Sequence, residues 1–134
     1  MSISNLQETL LMYTKQKSLI NEKLTNVMFN LTQATQKTAN LQDKYNQKEQ
    51  YYYKQYEGWN TSSDVYDEYQ TVMEQLLKEH EFDLQNIQSW ESQLEMDKNN
   101  YETQLNVISQ YESSWQKLLS NNIKSDFSYG GVQQ

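Results

Sequence analysis

Ile3, Leu6, Leu10, Tyr13, Lys17, Ile20, Leu24, Val27, Leu31, Ala34, Thr38, Leu41, Tyr45, Lys48, Tyr52, Gln55 and Trp59 follow one another at alternating steps of three and four. That repeat is the a/d seam of a coiled coil, with apolar residues or occasional polar substitutes on one stripe of an α-helix. A second run, in the same steps, holds Tyr66, Tyr69, Met73, Leu76, His80, Asp83, Ile87, Trp90, Leu94, Asp97, Tyr101, Gln104, Ile108, Tyr111, Trp115 and Leu118. Two long periodic segments with one interruption predict an all-α fold, a long antiparallel two-helix hairpin of coiled-coil type. Packing of such hairpins into a larger helical bundle is a further expectation.

The breakers agree with this division. The 134 residues contain no proline and only three glycines, Gly58, Gly130 and Gly131, all where the heptads stop. Proline would break a helix interior, and glycine costs about 1 kcal/mol there. The spacing predicts helices at about 4–58 and 62–122, joined at Trp59–Ser62, within a single domain 1–122. Gly58 suits a helix C-terminus, Thr61 or Ser62 a helix N-cap, and Asp64 and Asp67 the positive first turn. Residues 123–134, rich in Ser, Gly and Gln, read as a flexible tail. A short connection makes neighbouring helices antiparallel.

The seam also predicts a register. Layering a residues against d residues is met when paired residue numbers sum to about 121. Lys17 then faces Gln104, Thr38 faces Asp83, Ala34 faces Ile87 and Leu31 faces Trp90. Polar meets polar in the first two layers. Polar residues inside a seam are the best-attested means of fixing register, so Lys17, Thr38, Asp83 and Gln104 are the candidate register-setting set.

The second helix carries more apolar surface than one seam needs. Its e positions include Leu77, Leu84, Leu105 and Leu119, and its g positions include Val65, Val72 and Val107. Either the seam is widened, with lysine and glutamine stems covering the surplus, or this edge is a second contact face. The second reading makes Val72, Leu77, Leu84, Leu105, Val107 and Leu119 a candidate interaction face, for another copy or another helical protein. Tyr51, Tyr52, Tyr53, Tyr56 and Trp59 cluster just before the turn. They close the open end of the hairpin, or form an aromatic docking tip carried by Tyr52, Tyr53, Tyr56 and Trp59.

No catalytic constellation is expected. His80 is the single histidine, and without a second nitrogen or sulfur ligand it makes a poor metal site. The Glu-x-x-His pattern of carboxylate di-metal bundles would need glutamate where Leu77 stands. Asp83 and Asp97 lie fourteen residues apart, roughly 21 Å along a helix and too far for paired acid–base work. No glycine-rich phosphate loop and no Ser/His/Asp set occur. The absence of cysteine removes thiol chemistry and disulfides. The reading is therefore a non-enzymatic chain with no cofactor and no metal.

Charge bounds the partners. Eighteen acidic residues oppose eleven basic ones, every one a lysine, for a net charge of −7. Such a chain repels phosphate backbones and lacks the arginine that reads bases and phosphates, so no nucleic acid is expected. No run of about 18 apolar residues predicts a membrane span. Met1–Thr14 lacks the basic start and continuous apolar stretch of a general secretory signal peptide. Localisation stays open between the cytoplasm and export by another route.

In architecture, over residues 3 to 122, and in its early Leu6-Gln7-Glu8-Thr9-Leu10-Leu11 run, the chain resembles the helical-hairpin, stalk-like proteins of flagellar and type III export machines. That resemblance implies a coiled-coil component of a secretion assembly that works through protein contacts. The alternatives are an exported effector or secretion substrate and, in another class, a ligand- or metal-binding helical bundle.

Overall fold

The structure, a computed structural model, describes residues 2–57 and 63–132, with side chains for 2–57 and 64–125. It holds two helices, α1 (Ile3–Glu57) and α2 (Ser63–Val132). Among the described residues there is no strand, and the fold is an all-α helical hairpin. The expected connection at Gly58, Trp59, Asn60, Thr61 and Ser62 lies outside the described residues.

Local chemistry accounts for both helices. Ser2 caps α1: its Oγ accepts from the Asn5 amide at 3.2 Å, and its carbonyl accepts the first helical bond from Leu6. Lys54 sits in the last turn of α1 and Asp64 in the first turn of α2, each of the sign the helix dipole favours. Threonine is a modest helix former, but here its hydroxyls are used. Thr9, Thr25, Thr35, Thr38, Thr71 and Thr103 each donate to the carbonyl four residues back, at 2.8–3.1 Å.

The sequence reading ends the second helix near Asn122 and makes 123–134 a tail, whereas α2 runs to Val132. Nothing between Ile123 and Tyr129 interrupts a helix, because no proline occurs and the glycines come only at 130 and 131. Once nucleated, a helix propagates through such a stretch at little cost per residue.

The chain divides into two units, each made from both helices: Met1–Met28 with Met96–Gln134, and Phe29–Glu95. In the first unit the core holds Leu6, Ile20 and Val27 of α1. On α2 the half-buried set includes Tyr101, Leu105, Ile108, Glu112, Trp115 and Leu119. In the second unit Ala34, Leu76 and Leu94 are buried, with Leu31, Thr38, Leu41, Tyr45, His80, Leu84, Ile87 and Trp90 half-buried.

On α1 the covered stripe is the expected a/d seam from Ile3 to Tyr45. On α2 it is not. In the first unit the covered positions are a and e, while the d residues Gln104, Tyr111 and Leu118 are exposed. An ideal helix drifts about 20° per heptad against a strict seven-residue repeat, so over several heptads the covered edge moves from d to e.

Candidate interaction surface

In the second unit, the imidazole of His80 stacks on Tyr45, with centroids 4.4 Å apart and planes at 24°. His80 Nδ1 is buried and has no hydrogen-bond partner. A small cavity of about 40 Å³ beside the two rings is lined by Leu41, Lys44, Lys48, Leu76, Glu79 and Asp83. Toward the end of the hairpin, Tyr56 meets Tyr69 edge-on at 5.4 Å. Both ring pairs have residue numbers summing to 125.

In the first unit, Lys17 Nζ lies 3.5 Å from Glu112 Oε1, and the Thr14 hydroxyl donates to Glu112 Oε2 at 3.2 Å. Tyr13 packs against Tyr111 with centroids 6.0 Å apart. The ring pair sums to 124 and the Thr14–Glu112 pair to 126.

These pairs correct the expected register. Lys17 finds Glu112 rather than Gln104, and Gln104 is exposed. Thr38 turns its hydroxyl onto the Ala34 carbonyl of its own helix, and Asp83 is exposed. The four residues therefore do not form two matched polar layers. The expected layering of a with d is not kept in these contacts: Tyr45 and His80 are both a residues, and Tyr13 and Tyr111 are both d residues.

The candidate interaction face divides accordingly. Leu84, Leu105 and Leu119 are half-buried within the hairpin, as is Val72. Leu77 and Val107 remain 43% and 40% exposed. Tyr111 and Leu118, assigned from sequence to the seam, are 52% and 48% exposed. A signal was present: the d edge carries Asp83, Asp97 and Gln104, whereas the e edge carries Leu84, Leu105 and Leu119.

Of the aromatic tip, Tyr53 is exposed and Tyr52 and Tyr56 are half-buried, while Trp59 lies outside the described residues. Tyr51, also exposed, meets Tyr52 edge-on at 5.4 Å. An open cleft of about 310 Å³ runs past Asn46, Glu49, Gln50, Tyr53, Lys54 and Tyr69. Desolvation, followed by the charges of Glu49 and Glu81, raises the Tyr45 phenol above its usual range. Desolvation and then Glu68 do the same for Tyr56.

Large apolar side chains also face water away from the seam. They include Leu11, Met12 and Leu19 of the first unit and Phe29 and Phe82 of the second. Among the described residues, no cluster of three or more His, Cys, Asp or Glu is placed to hold a metal. Among the same residues no helix is long and apolar enough to cross a membrane. No family model, curated protein or solved structure matches the chain.

Proposed function

We propose that this chain is a non-enzymatic coiled-coil hairpin that works as a structural or protein-interaction element, in an assembly of the bacterial secretion or export kind. The observation that carries the reading is the exposure of large apolar side chains on helices whose seam is already filled, with Phe82 65% and Phe29 61% exposed. Aromatic residues are favoured anchors at protein contacts. The secretion setting rests on the architectural resemblance.

Photo-crosslinking in the source cell tests this. A benzophenone amino acid at Leu19 or Phe82 should give discrete protein adducts, and mass spectrometry of the adducts should identify export components. Free chain alone from both positions would overturn the reading.

A further inference from the structure

Glu112 stands on the e edge of α2 with a leucine one heptad away on either side, Leu105 and Leu119. Both leucines are half-buried, and the Glu112 side chain is only 17% exposed. A carboxylate on a covered apolar edge is costly unless it is paired. Here the pairing crosses the hairpin. Lys17 Nζ lies 3.5 Å from Oε1, and the Thr14 hydroxyl lies 3.2 Å from Oε2. Lys17 and Thr14 share one face of α1, so both carboxylate oxygens are held from the same side. Lys17 is in turn the polar member of an a stripe that otherwise holds Ile3, Leu10, Leu24 and Leu31.

We infer that the Lys17–Glu112 pair is a register key: within the first unit it selects one offset of α2 against α1 by penalising the neighbouring offsets that the apolar repeat permits. This goes beyond the interaction reading, because it concerns which arrangement of the two helices a partner meets.

The apolar repeat cannot make that selection. An offset shifted by one heptad keeps the same stripes inward. Connectivity does not forbid it, since the point of chain reversal moves by only half as many residues as the sum of paired numbers changes. What changes is the neighbour of each charge. Slipped one way, Lys17 comes to Leu105 and Glu112 to Leu10. Slipped the other way, Lys17 comes to Leu119 and Glu112 to Leu24. All four leucines are half-buried. Either slip thus separates the two charges and sets each against an apolar side chain. Separating a poorly solvated pair is strongly unfavourable, whereas replacing both members with apolar residues is often neutral or stabilising. The pair therefore contributes selection of an offset more than strength. A partner that touches both helices then meets one arrangement of side chains along them.

Crosslinking within the full chain is the test. Tyr13 packs on Tyr111 in the observed offset, and a one-heptad slip brings it to Gln104 or to Leu118 instead. The chain has no cysteine of its own, so Tyr13→Cys combined in turn with Tyr111→Cys, Gln104→Cys or Leu118→Cys reports the three offsets. The probe is a bis-thiol reagent with a span below the roughly 10 Å length of a heptad. With Lys17 and Glu112 intact, only the Tyr111→Cys reporter should be captured. In a Lys17→Leu/Glu112→Leu background, capture by a slipped reporter should rise by at least about tenfold, because the penalty on the wrong offsets is gone. Circular dichroism of that background should match the wild type. The charge reversal Lys17→Glu/Glu112→Lys should return capture to the Tyr111→Cys reporter alone. Slipped reporters that stay silent in the double-leucine background overturn the inference, because the remaining packing then sets the offset. Slipped capture with the pair intact, or with the pair reversed, overturns it as well. So does loss of helix in the double-leucine background, which makes the pair a source of stability and not of selection.

Discussion

At the scale of single residues, His80 shows how the fold treats its one histidine. The ring gains a stacking partner in Tyr45 but leaves Nδ1 buried and unpartnered. Leaving a buried polar atom unsatisfied costs about 1–3 kcal/mol. His80→Phe keeps the stack and removes that atom. It should stabilise the hairpin by about 1 kcal/mol, raising the thermal midpoint by about 4 °C for a chain of this length. A lowered midpoint would mean that Nδ1 has a role the packing does not reveal. The raised phenols make a second prediction. When pH climbs past about 10, an unfolded tyrosine releases its proton while Tyr45 and Tyr56 in the folded chain keep theirs. The folded state then binds more protons, so stability falls as pH rises. Their contribution is full below the ordinary tyrosine range and is lost as pH passes through the raised one. Urea melts at neutral and strongly alkaline pH should show this loss, and Tyr45→Phe with Tyr56→Phe should reduce it.

At the scale of the element, α2 is the helix with a choice. It carries apolar residues on both sides of its a positions, and in the first unit the hairpin covers Leu105 and Leu119 of the e edge and leaves Gln104 and Leu118 of the d edge exposed, while Tyr111 packs on Tyr13. The two edges should therefore respond differently to truncation. Leu105→Ala removes half-buried surface and should cost about 1–2 kcal/mol, below the range for fully buried leucine. Leu118→Ala should change the stability of the single chain by no more than about 0.5 kcal/mol. Chemical denaturation at low protein concentration separates them, and equal costs would mean that both edges belong to the hairpin. By the same reasoning, glutamate at Leu84 and Leu105 should unfold helix rather than detach a partner.

At the scale of the whole molecule, the acidic balance opposes contact between two copies. Two chains of net charge −7 approach against a repulsion that salt screens, with a Debye length of about 10 Å at 0.1 M. Self-association through an apolar stripe should therefore tighten as sodium chloride rises from low to physiological strength. Sedimentation equilibrium at several salt concentrations checks this, and weakening with salt would indicate an interface held by ion pairs instead. The expected two-helix hairpin was legible because the period runs from Ile3 to Trp59 and again from Tyr66 to Leu118, with no proline and with Gly58 where the first run ends. The candidate surface was legible only in part: Val107 was named, whereas Tyr111 and Leu118 were assigned to the seam.

The sequence by itself determined that the chain is two helices and which stripe of α1 is covered, because the a/d period of α1 has one apolar edge and no rival. It did not determine the partner edge of α2, where d and e both carry leucine, as at Leu76 with Leu77 and Leu118 with Leu119. Periodicity cannot rank two stripes that share the same a positions. Only the tertiary structure decides, by placing Glu112 against Lys17 and Thr14 and His80 against Tyr45, and by covering Leu105 while leaving Leu118 in water. The physical reason is that the register is set by contacts between the helices, whose summed packing selects one offset, whereas the repeat along each helix is the same at every offset that keeps an apolar stripe inward.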